Sequence, residues 1–130
     1  MQRLSWNTLR DNWIDLYFFE PLSAFMTRLH EDRGKDVLAV VVFSPEPDLP
    51  VPPPKPPLYL MVLYRGEVDF LKENLFLRER DPSGILKFFP YSLDGFVQML
   101  RDGHPIAHWA MKTGLVIHEL EDCLEGIAEN

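Results

Sequence analysis

Residues 37–43 read VLAVVVF and residues 58–64 read LYLMVLY. Both runs are apolar almost throughout and too short for an ordinary helix, and the first is mostly β-branched. Each therefore reads as a strand buried on both faces of a sheet. Between them, residues 45–57 read PEPDLPVPPPKPP, with eight prolines in thirteen residues. Proline donates no backbone hydrogen bond, so this segment forbids a regular ladder, favours polyproline II and reads as an exposed, stiffened loop.

Upstream of the first strand, Trp6, Leu9, Trp13, Leu16 and Tyr17 recur at helical spacing behind Ser5, a plausible N-cap. Pro21 is expected to interrupt or kink that helix. Leu22, Phe25, Met26 and Leu29 then form a second apolar stripe, with Gly34 where a C-terminal cap would stand. These stripes read as core.

Downstream of the second strand, Val68, Leu71 and Leu75 suggest a helix over residues 67–79, with a turn at Asp81-Pro82-Ser83-Gly84. Residues 85–91 read as a third strand, and Ser92 can cap a helix carrying Phe96, Met99 and Leu100 up to Gly103. Pro105 suits the first position of another helix, with Ile106, Trp109 and Ala110 inward and Gly114 as its stop. Residues 115–117 give a brief last strand. Leu120, Cys123, Leu124 and Ile127 predict a terminal helix with an acidic outer face. The expectation is one α/β (α+β) domain over residues 1–130: a small mixed sheet of about four strands flanked by helices, with a proline-rich loop at 45–57.

Composition narrows the function classes. The chain has 130 residues, 46% of them apolar, enough for one core. No apolar run approaches the roughly 20 residues of a membrane span, and the start, MQRL, is not a basic stretch leading into an apolar signal core. No membrane association and a cytoplasmic location are expected. A net charge of −7 argues against broad nucleic-acid binding, which draws its affinity from Lys and Arg on phosphates. The acids after Gly114 (Glu119, Glu121, Asp122, Glu125, Glu129) have no Lys or Arg among them. They read first as a solvated helix face and second as a docking surface for a basic partner. Cys123 is the only cysteine, so neither an internal disulfide nor a thiolate zinc cluster can form.

Chemical motifs are sparse. His104 and His108 stand four apart, a spacing that can serve zinc, but no third ligand is evident and Pro105 makes His104 a helix cap or turn residue rather than a ligand. His30 and His118 are isolated. There is neither a Gly-x-Ser-x-Gly elbow nor a glycine-rich phosphate loop. The prolines of residues 51–57 include a P-x-x-P spacing that aromatic grooves recognise; a rigid connector between strands is the commoner meaning.

The stretch YSLDGFVQMLRDGHPIAHWAMKTGLVIHE, residues 91–119, and the upstream VLAVVVFSP, residues 37–45, resemble the minimal nucleotidyltransferases, small prokaryotic members of the polymerase-β-like superfamily. The likeness is one of pattern more than identity and extends over nearly all of the chain. It implies a nucleotidyltransferase-like fold. In that family, chemistry requires a Gly-Ser pair after the first strand to hold nucleotide phosphates. It also requires two acids one residue apart at the head of the second strand, which jointly hold Mg²⁺, and a third on the following strand. By resemblance the Gly-Ser positions fall on Ser44 and Pro45 and the acid positions on Pro57 and Tyr59. The third falls among residues 85–89, where only Lys87 is polar. None can serve, so no catalytic residue and no resident cofactor or metal are expected.

What the resemblance then implies is a degenerate, noncatalytic protein that binds a partner protein, a second copy of itself or a small ligand. The family's usual companion is a small all-helical protein of the HEPN type, in two-component modules resembling toxin and antitoxin pairs. The alternatives are an active Mg²⁺-dependent nucleotidyltransferase with relocated carboxylates, drawn from Asp36, Glu46, Asp48, Glu67 and Asp69, or an unrelated α/β interaction domain. Glu46 and Asp48 read mainly as solubilising charges of the loop.

Overall fold

The computed structural model describes residues 1–46, 48 and 50–127. Strand β1 is Gln2–Arg3 and helix α1 is Trp6–Trp13; α2, Phe19–Arg33, leads through a short 3₁₀ turn into β2, Val37–Phe43. After the proline-rich loop come β3 (Leu58–Tyr64), α3 (Phe70–Glu79), β4 (Leu86–Ser92), α4 (Leu93–Arg101), α5 (Pro105–Thr113) and β5 (Leu115–Glu119). The described residues thus form a mixed α+β structure with one five-stranded sheet in the order β1-β5-β2-β3-β4. β2 runs antiparallel to both β3 and β5; β3 and β4 are parallel, as are β1 and β5. No described helix is long and apolar enough to cross a membrane.

The two strands read as buried on both faces are so: every residue of β2 is buried, and only Tyr59 of β3 is partly exposed. Alternation splits their side chains between two cores. Val40, Val42, Leu60 and Val62 meet Leu9, Leu22, Phe25 and Leu29 of α1 and α2. Ala39, Val41, Met61 and Leu63 meet Phe96, Ala107 and Ala110 of α4 and α5 on the other face. Burying a ring such as that of Phe96, which is 0% exposed, is worth about 2–3 kcal/mol.

The expected caps Ser5, Ser92 and His104 accept backbone N–H bonds at the starts of α1, α4 and α5, and Pro105 occupies the first turn of α5; Asp69, a candidate acid in the sequence, caps α3 in the same way. Gly114 ends α5 for a reason other than a left-handed cap. Its φ is −65°, but an added Cβ would stand 2.2 Å from the Ala110 carbonyl oxygen and 2.8 Å from Val41 Cγ1. Only a residue without a side chain lets the helix end against β2.

Several expectations change. The sheet has five strands, because Gln2 and Leu4 bond Gly114 and Val116 along β5, a pairing too short to show as a pattern. Pro21 lies in the first turn of α2, where its missing N–H has no helical partner to lose, and the break falls instead at Ile14–Phe18. Helix α3 starts at Phe70 and turns its Leu71 and Leu75 outward, 76% and 58% exposed; Leu77 and Phe76 face inward instead. The proline-rich segment bends at Val51–Pro52 and again at 54–56, so it is a curved loop and not a straight polyproline helix.

The terminal helix does not form. Glu121 and Asp122 have φ of 59° and 48°, and the segment is a series of turns. Its ties to the body replace helical bonds: Leu120 N–H donates to Leu38 O (2.7 Å) and Leu124 N–H to the Glu119 carboxylate (2.9 Å). The acids here do meet cations, brought from elsewhere in the chain. Arg3 pairs with Glu119 and Arg65 with Glu121. Glu129 lies outside the described residues.

The β4 edge is blunted against further pairing. Leu58 N–H bonds Ile85 O, which in a parallel ladder turns the polar groups of Leu86, Phe88 and Pro90 outward. Leu86 N–H is taken by the buried Asp81 carboxylate (3.0 Å), Phe88 O accepts from Asn74 (2.9 Å), and Pro90 has no N–H.

Candidate functional site

The fold does bring Ser44, Pro45, Pro57 and Tyr59 to one end of the sheet, since Phe43 and Tyr59 face each other across the β2–β3 pair. The polar groups of Ser44 are already engaged. Its N–H donates to Thr113 Oγ1 (3.0 Å), and its hydroxyl donates to Glu46 O (2.6 Å) and accepts the Glu46 N–H (3.2 Å). Pro45 has no N–H to offer. Tyr59 belongs to an aromatic group with Phe43 and Phe89, ring centroids 5.4–6.1 Å apart, and Lys87 lies 5.7 Å over its ring. This mostly buried aromatic group beside a lysine is the reverse of what a divalent metal needs.

Glu46 and Asp48 are exposed in the adjoining loop. Asp36, Glu67 and Asp69 stand at the opposite end, where β2 begins and β3 finishes. Seven strand residues at about 3.3 Å each put roughly 20 Å between the two sets, so they cannot share a cation. Among the described residues, no group of three His, Cys, Asp or Glu side chains could hold a metal ion. His104 and His108 do not act together either: the first caps α5, and the ring of the second lies 3.0 Å from Leu100 O.

Asp36, Glu67 and Asp69 share a cleft of about 510 Å³ with Arg33, Tyr64, Lys72, Glu73 and Phe76. It opens at the carboxyl end of β3, where the chain crosses over through α3 to the parallel strand β4. Arg33, at the end of α2, makes two bonds to Glu73 of α3, at 3.0 and 3.1 Å. The guanidiniums of Arg33 and Arg80 lie 3.5 and 3.3 Å from the centre of the Phe76 ring. Two cations so close to one ring centre must lie on opposite faces, so the ring is sandwiched and α2 is clamped to α3. Arg80 also bonds Asp32 at 2.6 Å.

Burial by itself would raise the Glu73 carboxyl. The bonds from Arg33, the adjacent Tyr64 hydroxyl and the charges of Arg33 and Arg80 outweigh it and hold Glu73 below its ordinary value. Arg33 is raised chiefly by its bonds to Glu73. Tyr64, 5% exposed, is pushed far up, first by burial and then by the Glu73 carboxylate beside it. Its oxygen lies alongside that carboxylate without the geometry of a hydrogen bond and has no regular partner among the described residues.

No family model, curated protein or solved structure matches this chain. Asp36, Glu67 and Asp69 were candidates from the sequence. Arg33, Tyr64, Glu73 and Phe76 were not, and their spacing carries no signal: Arg33 and Glu73 are 40 positions apart.

Proposed function

We propose that this chain works by binding and does not transfer nucleotides. The observation that supports this reading is the Phe43–Tyr59–Phe89 group, at the end of β2 and β3 where the resemblance would put a metal. Nucleotidyl transfer rests on metal-assisted neutralisation of phosphate charge, and an aromatic group beside a lysine offers no oxygen ligands for that metal. The engaged polar groups of Ser44 support the same conclusion at the phosphate position.

The binding role extends to a protein partner, by the family resemblance a small helical one of the HEPN type. Two acids of the C-terminal turns, Asp122 and Glu125, make no ion pair within 4 Å among the described residues and could help steer a basic surface. The rival reading, a relocated magnesium site, draws on Asp36, Glu67 and Asp69 sharing one cleft.

Calorimetric titration with ATP, GTP and CTP, each with and without Mg²⁺, separates the two. No magnesium-dependent heat is expected. Saturable binding that requires Mg²⁺ would restore the enzyme reading.

A further inference from the structure

Helix α3 carries an apolar stripe that the fold leaves uncovered. Leu71 and Leu75 are 76% and 58% exposed, and Phe70 beside them is 37% exposed. With about 3.6 residues per turn, Leu71, Leu75 and Arg78 line up along the outer face, opposite the buried Leu77. Where α3 ends, a groove of about 420 Å³ continues that line, walled by Leu75, Arg78, Glu79, Pro82 and Leu86. A single exposed leucine needs no account. Two of them one turn apart, running into a groove, form the kind of patch that marks a protein contact.

Shape and charge both fit a second copy of this chain. The stripe holds a projecting side chain, Leu71, and a recess able to take one. An antiparallel pairing of α3 with α3 about a two-fold axis near Leu75 sets Leu75 against Leu75 and carries Leu71 of each copy to the groove of the other. Lys72 and Glu79 are both exposed and lie seven positions apart, close to two turns, so they share one flank of the stripe on either side of Leu75. The same axis brings Lys72 of each copy against Glu79 of the other. Lys72 makes no ion pair within 4 Å among the described residues, and Glu79 has only a long contact of 3.7 Å with Arg80. Strand pairing offers no rival route on this side, because Asp81 and Asn74 occupy the edge of β4.

We propose that two copies of this chain associate through α3, antiparallel and isologous, with Leu71 seated in the partner's groove and Lys72 paired with the partner's Glu79. A helix of 10 residues and one groove cover less than the roughly 1,200 Å² of a standard interface, so the dimer is weak, with Kd on the order of 10–100 µM. This inference goes beyond the binding reading and does not depend on it.

Sedimentation equilibrium of the full chain from about 10 to 500 µM, at low salt where exposed ion pairs are least screened, tests it. A monomer–dimer equilibrium is expected. Leu71→Gln with Leu75→Gln, both at exposed positions, should raise Kd at least about tenfold. Lys72→Glu and Glu79→Lys each set like charges against one another across the axis and should raise Kd about threefold or more. Each also suits the helix dipole at its own end of α3, so the loss does not come from unfolding of the helix. Mixed in equal amounts, the two single variants again present opposite charges, and the mixture should return to near the wild-type Kd. A chain that stays monomeric at about 500 µM, which would leave the face to a different partner, overturns the proposal. So does a dimer that the leucine changes leave intact, or a mixture that associates no better than either variant alone. Nucleotide titration tests the binding reading separately, so the two failures are distinguishable.

Discussion

Replacing Glu73 with Gln tests whether the α2–α3 clamp stabilises the fold. The change keeps the shape of the side chain and removes the charge that faces Arg33. Breaking a fully buried pair costs about 3–5 kcal/mol, whereas an exposed pair is worth about 0–1 kcal/mol. Here the Glu73 side chain is 14% exposed and that of Arg33 is 32% exposed, so solvent screens the pair in part. A loss of about 2 kcal/mol follows, between those limits. With an unfolding entropy of about 2.1 cal/mol/K per residue over this chain, that lowers Tm by roughly 7 °C.

The pH dependence gives the loss a signature. Glu73 is held below its ordinary value of 4.5 in the folded protein, so its contribution is present above that pH and disappears as pH falls through the folded value. Urea unfolding of wild type and Glu73→Gln should therefore differ by a constant amount from pH 6 to 8, and the gap should close below about pH 4.5. The Arg3–Glu119 pair is present in both proteins and cancels. A double-mutant cycle with Arg33→Met should return about 1–2 kcal/mol of coupling. A Glu73→Gln protein within about 0.5 kcal/mol of wild type at pH 7, or a gap unchanged at acid pH, would refute the clamp.

Two further substitutions test the frame around the site. Gly114→Ala forces a methyl group to within 2.2 Å of the Ala110 carbonyl oxygen and should destabilise by about 3 kcal/mol or more; thermal unfolding near the wild-type Tm would show that the end of α5 shifts freely. Asp81→Ala orphans the buried Leu86 N–H and should cost about 1–3 kcal/mol by urea unfolding. The same variant opens part of the β4 edge, so sedimentation should show more self-association; an unchanged monomer fraction would mean that Asn74 and Pro90 protect the edge without it.

Only part of the candidate site could be read along the chain. Asp36, Glu67 and Asp69 were legible because acids flanking a buried strand stand out. Arg33, Glu73 and Phe76 were not, because their roles depend on a contact between helices α2 and α3. The direction of α3 illustrates the difficulty. Its apolar residues Leu71 and Leu75 match a helical stripe, yet Leu77 and the ring of Phe76 decide which side meets the sheet. The C-terminal segment repeats the lesson: its spacing is helical, but Arg3, Arg65 and Leu38 draw it into turns.

What the amino-acid order determined by itself was local: two strands buried on both faces, the caps Ser5, Ser92 and His104, the proline that opens α5 and the loop that prolines keep out of the sheet. These depend on periodicity and on backbone groups a few residues apart, so short-range chemistry encodes them. Tertiary structure alone decided which distant charges meet. Arg3 with Glu119, Arg33 with Glu73 and Arg65 with Glu121 are separated by 116, 40 and 56 positions. Local spacing holds no record of such pairs, because the sheet order and the packing of helices across it bring them within reach.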